Sequence, residues 1–100
     1  MNNIENNRML AEFMKAETEN GTCYIYNGLS YYLQEMQRDW GFIMAVVEKI
    51  EDLGNDVLIT TNYIQIAFDE GEQFVVVEDI KNKIEAVYNA CVEFVKLSRA

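Results

Sequence analysis

Val57-Leu58-Ile59-Thr60-Thr61-Asn62-Tyr63-Ile64-Gln65-Ile66-Ala67-Phe68-Asp69-Glu70-Gly71-Glu72-Gln73-Phe74-Val75-Val76-Val77 is the stretch on which the fold turns. Val57 and Ile59 alternate with Leu58 and Thr60, and Ile64, Ile66 and Phe68 alternate with Tyr63, Gln65 and Ala67. A repeat of two on both sides of Thr61-Asn62 predicts a hairpin with one buried face, strands at about 57–61 and 64–68. Asp69-Glu70-Gly71-Glu72 reads as a second turn, after which Phe74-Val75-Val76-Val77 supplies a third antiparallel strand at about 73–77.

Helical spacing flanks this meander. Before it, Asp39 stands at an N-cap position, and Trp40, Ile43, Met44, Val47, Ile50 and Leu53 form an apolar stripe that ends at Gly54, a good C′ residue. That predicts a helix over about 39–53, with Glu48, Lys49, Glu51 and Asp52 on its outer side. After it, Glu78 and Asp79 meet the positive end of a helix dipole, Lys96 and Arg99 its negative end, and Ile80, Ile84, Val87, Tyr88, Cys91, Phe94 and Val95 line one side of a helix over about 79–97. A first helix spans about 4–16, where Met9, Leu10, Phe13 and Met14 recur, Asn2 or Asn3 caps the start, and Arg8, Glu12 and Lys15 face outward.

Between them, Thr22-Cys23-Tyr24-Ile25-Tyr26 is bracketed by the turn signals Asn20-Gly21 and Asn27-Gly28 and reads as an edge strand or an ordered loop over 22–26. Residues 30–38 are aromatic and helix-compatible without a decisive period. The expectation is one α+β domain over 1–100, three helices packed on a short antiparallel sheet. Periodicity is compatible with helices on one face of that sheet or on both.

Half of the 100 residues are hydrophobic, enough for a single modest core. No apolar run is long enough to cross a bilayer, and the polar start is unlike a secretion signal, so the expected location is the cytoplasm, with no membrane contact. A net charge of −9 repels nucleic acid and anionic membranes and disfavours direct nucleic-acid binding through a basic groove. The same charge suits docking on a basic protein surface, and it also serves solubility. Cys23 and Cys91 are distant in sequence and lack His neighbours, which argues against a zinc site or disulfide framework and leaves free thiols, Cys91 in the core.

Chemistry is sparse. With no His, triads and imidazole metal sites are excluded, and single scattered glycines give neither a P-loop nor a dinucleotide fingerprint. Asp69-Glu70-Gly71 lacks the ligand series of an EF-hand. Glu48, Glu51, Asp52 and Glu85 would serve a carboxylate-dependent hydrolase if their helices lie together, although helical surface charge also accounts for them. The expected protein is not an enzyme and uses no cofactor or metal.

Two features point to binding. Tyr24, Tyr26, Tyr31 and Tyr32 offer stiff amphipathic rings, for which core packing is the competing explanation. Asp69, Glu70, Glu72, Glu78 and Asp79 concentrate negative potential without a basic residue, for which a solvated turn and helix capping compete. An extended edge at 22–26 also offers self-pairing across a homodimer axis.

Residues 7–14 (Asn7-Arg8-Met9-Leu10-Ala11-Glu12-Phe13-Met14), 40–51 (Trp40-Gly41-Phe42-Ile43-Met44-Ala45-Val46-Val47-Glu48-Lys49-Ile50-Glu51) and 83–96 resemble, in order and spacing, a family of small phage and prophage proteins grouped with the phage αβα-sandwich domains. The middle motif departs from the family pattern at Asp39, Gly41, Phe42 and Ala45, where Ser, Asp, Trp and Pro are usual. What the resemblance implies is a phage accessory factor. Similarity in size and charge to anti-CRISPR inhibitors implies a CRISPR effector ribonucleoprotein, or its guide-RNA-loading surface, as the partner in a bacterial host. An assembly or replication accessory protein is the alternative.

Overall fold

A computed structural model describes residues 3–78 and 80–99. In chain order these are α1 (Asn3–Met14), β1 (Glu17–Thr18), β2 (Cys23–Tyr26), β3 (Leu29–Tyr32), a 3-10 helix (Leu33–Arg38), α2 (Trp40–Asp52), β4 (Asp56–Ile59), β5 (Tyr63–Phe68), β6 (Gln73–Glu78) and α3 (Lys83–Arg99). The α+β class and the three long helices stand as expected.

The meander forms in the order β4-β5-β6, all antiparallel. Thr60 closes the first turn: its hydroxyl donates to the Tyr63 carbonyl at 2.8 Å and accepts from the Tyr63 N–H at 3.0 Å. Register places Val57–Ile66–Val75 and Ile59–Ile64–Val77 on one face, and Asp56–Ala67–Phe74 and Leu58–Gln65–Val76 on the other. The first face is covered by α3, which packs on β5 and β6, and by α2 beside β4. Ile64, Ile66 and Val75 are buried there. The helices therefore cover one face only.

The region 17–38 departs from expectation. Strand 22–26 does not extend the main sheet; as β2 it is the centre of a second sheet, β1-β2-β3. Asn27 and Gly28, at φ 51° and 78°, form the two-residue turn whose twist suits a hairpin, and Leu29–Tyr32 returns along Cys23–Tyr26. With Glu17 and Thr18 paired to Ile25 and Tyr24 on its other side, β2 is the middle strand of this sheet and not an edge strand.

Two helix boundaries also need correction or sharpening. Glu78 ends β6 and does not begin α3; Asp79 lies outside the described residues, and Ile80 precedes the helix. The start of α3 is set by Asn82, whose Oδ1 accepts from the Glu85 N–H at 3.2 Å, and by Lys83, whose ammonium donates to the Thr60 carbonyl. Asp39 caps α2 as expected, accepting from the Phe42 N–H at 3.1 Å, and Gly54 at φ 94° leaves the helix through a left-handed residue. Of the two residues expected to cap α1, Asn3 lies inside the helix, and Asn2 is outside the described residues.

The buried face of α2 is Phe42, Ile43, Val46, Val47 and Ile50; Trp40, Met44 and Leu53, expected in the stripe, stand well exposed. Among the described residues, Asn7 brings a polar side chain into the core. Asn7 is fully buried, donating to the Leu33 carbonyl at 2.8 Å and Gln37 Oε1 at 2.7 Å, and accepting from the Tyr88 hydroxyl at 2.6 Å. It ties α1, the 3-10 helix and α3 together.

Candidate functional site

The tyrosines do not form one surface. Tyr24 and Tyr31, opposite one another in the β2–β3 register, turn inward and are buried. Tyr31 meets Phe42 edge-on at 5.3 Å between ring centroids, and its hydroxyl pKa is raised by burial, then by Asp39 and Tyr26. These two residues are thus corrected from binding positions to core positions, because a strand alternates and their side of the hairpin lies on α2. Tyr26 is half-buried, and Tyr32 is exposed.

Asp69, Glu70, Glu72 and Glu78 are all exposed. Asp69, Glu70 and Gly71 run consecutively at φ 56°, 57° and 82°, a left-handed path that throws the turn out past the sheet end. Inside the turn Glu72 N–H donates to the Asp69 carbonyl at 3.1 Å, and Gln73 Nε2 donates to Asp69 Oδ2 at 3.1 Å. Glu78 lies at the other end of β6 in register with Tyr63, so the acidic residues bracket the sheet at both ends and do not cluster at a helix start. Among the described residues the ion pairs are Arg38–Glu35 and Arg99–Glu12, both exposed. The sheet acids have no basic partner in them.

Between the acidic ends lies a feature that periodicity alone did not single out. Leu58, Phe74 and Val76 point away from the helices and are 46%, 54% and 46% exposed. Phe74 and Val76 are two apart on β6, and Leu58 shares a row with Val76 across Gln65. The signal was present in Phe74-Val75-Val76-Val77, because an antiparallel strand with one wet face ought to alternate and this one does not.

A second exposed apolar region joins the hairpin to α2. There Tyr26, Leu29, Met44 and Ala45 line a shallow groove whose far wall carries Glu48, Lys49 and Asp52. A wider concavity, about 520 Å³, lies along β1 and β2 and is lined by Glu17, Thr18, Glu19, Asn20, Cys23 and Ile25. Cys91 is buried, which pushes its thiol up to about 12 and leaves it protonated at neutral pH.

Although α2 and α3 pack together, Glu48, Glu51, Asp52 and Glu85 all remain exposed. Among the described residues no group of three or more His, Cys, Asp or Glu side chains could hold a metal ion, and no helix is long and apolar enough to cross a membrane. Two exposed apolar features stand out among the described residues, the sheet face with acidic ends and a smaller groove beside α2. No protein-family model, curated protein or solved structure matches this chain.

Proposed function

We propose that this protein acts without turnover, by binding stoichiometrically to a basic surface of another protein. The observation that carries this reading is the charge segregation of the β4–β5–β6 unit: there is no Lys or Arg between Lys49 and Lys81, while Asp56, Asp69, Glu70, Glu72 and Glu78 stand exposed. Such a field attracts a basic partner and repels nucleic acid itself. Basic protein channels that hold nucleic acid are therefore natural targets. Together with the resemblance to small phage and prophage proteins, this favours a CRISPR effector, or the surface on which it loads guide RNA, as the target in the host cytoplasm, and an inhibitor of bacterial defence as the role.

The decisive experiment is an interference assay in cells carrying a CRISPR system, with and without the protein, followed by titration of the purified effector. Inhibition reaching its end point at a fixed protein-to-effector ratio is expected; unchanged immunity, or loss of target at trace protein, overturns the proposal. Association should also slow by at least about tenfold between about 0.05 and 0.5 M salt, as the screening length shrinks to a few ångströms.

A further inference from the structure

We propose that the outward face of the β4–β5–β6 sheet is the docking face, and that its occupant is a basic protein segment carrying apolar side chains between its Lys or Arg residues. The inference rests on the binding reading above and specifies its site and the chemistry of its partner. All three strands turn one face to α2 and α3, and among the described residues the other face leaves Leu58, Phe74 and Val76 exposed.

On that open face the rows Asp56–Ala67–Phe74 and Leu58–Gln65–Val76 lie next to one another, with Tyr63 and Glu78 in the next row. Neighbouring strands lie about 4.8 Å apart and alternate residues about 7 Å apart, so Ala67, Phe74 and Val76 adjoin in one patch, and Leu58 extends it about 10 Å from Val76, on the far side of Gln65. Isolated exposed apolar residues are ordinary, but a contiguous group on a bare sheet is a surface awaiting cover.

Charge decides what covers it. Every charged side chain of β4, β5, β6 and their two turns is acidic. Of the cations that follow β6, Lys83 is turned toward the Thr60 carbonyl, and Lys81, exposed, lies beside Glu78 at one end of the sheet. A second copy seated face to face would bring Asp56, Glu72 and Glu78 against their own like, and an anionic membrane would meet the same repulsion. A segment with cations at its ends and apolar groups at its centre satisfies both the acidic ends and the apolar middle. Burial of the apolar centre supplies affinity, and the acidic periphery supplies rate and orientation.

The test uses three synthetic dodecapeptides, alternating Lys/Leu, Lys/Ser and Glu/Leu, titrated into ¹⁵N-labelled protein and followed by amide shifts. The Lys/Leu peptide is expected to shift residues 56–58, 65–67 and 74–76 and to bind at least about tenfold more tightly than Lys/Ser, while Glu/Leu does not bind. Phe74→Ser with Val76→Ser should weaken Lys/Leu by about tenfold or more and leave Lys/Ser unchanged. Both side chains are exposed, so the fold should survive; Val76→Thr alone, checked by its spectrum, is the milder variant, with a proportionately smaller loss.

Equal binding of Lys/Leu and Lys/Ser, or of Lys/Leu and Glu/Leu, overturns the inference. So do shifts centred on Tyr26, Leu29 and Met44, or sedimentation showing a dimer that the double variant returns to monomer. In the Lys/Leu and Lys/Ser case the electrostatic reading survives; failure of both Lys peptides to bind removes that reading as well.

Discussion

Asn7 is the residue at which α1, the 3-10 helix and α3 are tied together. A buried amide is tolerable only when its donors and acceptor are all engaged, and Asn7 engages Leu33, Gln37 and Tyr88. Asn7→Ala would leave the Tyr88 hydroxyl without its acceptor and take a donor from the Leu33 carbonyl and from Gln37 Oε1, and should cost about 3 kcal/mol in urea unfolding, against about 1–2 kcal/mol for Tyr88→Phe. The double variant should cost less than the sum, because each single change already breaks the shared bond. Tyr88 and Cys91 also set an alkaline limit. Burial pushes both up to about 12 from ordinary values of 10.0 and 9.0. Between about pH 9 and 12 the unfolded chain therefore gives up protons that the folded chain keeps, so stability is full below about pH 9 and falls as pH rises through that window. The urea midpoint should drop from about pH 8 to about pH 10.5, and Cys91→Val should retain more of its stability over that interval.

At the scale of elements, the β5–β6 turn holds two non-glycine residues in left-handed conformation, Asp69 and Glu70, ahead of Gly71. That geometry costs an L-residue roughly 1 kcal/mol, part of which glycine returns through unfolded-state entropy. Glu70→Gly should thus raise unfolding stability by about 0.5 kcal/mol while slowing association with a basic partner, since one acid is lost. Stability and binding moving in opposite directions, read by urea titration and stopped-flow, is the expected signature. In this sheet β5 was readable because Ile64, Ile66 and Phe68 recur at every second position, and Thr61-Asn62 separates it from the β-prone run at 57–59. By contrast, β1 is too short to carry a period, and Leu29-Ser30-Tyr31-Tyr32 does not alternate in hydropathy, so only the Asn27-Gly28 turn announced β3. The apolar arc of α2 is wide enough that its centre was not fixed by sequence, and packing of Tyr31 on Phe42 turned Trp40 and Met44 outward. Glu78 and Asp79 looked like helix-start acids, but charge near a dipole is weaker than the cross-strand pairing that holds Glu78 opposite Tyr63. For the binding surface, acidic positions could be read directly, whereas the fate of each tyrosine depended on hairpin register.

For the molecule as a whole, the other helices and the β4–β5–β6 sheet meet around α3, whose Ala86, Val87, Tyr88, Ala90, Cys91, Val92, Phe94 and Val95 are buried. Phe94 receives the ring edges of Phe13 at 6.3 Å and Phe68 at 5.3 Å, one from each half of the chain. Truncation after Asn82 should abolish cooperative unfolding altogether, leaving no near-ultraviolet circular dichroism, rather than merely lowering a midpoint. Because the last helix closes the bond to the first, a nascent chain emerging from the ribosome has its meander made but nothing to roof it. Ile64, Ile66 and Val75 stay wet until the final turns clear the exit tunnel. Synthesis of this protein thus carries a brief interval of vulnerability to proteases and chaperones, which ends in one late step when α3 lands.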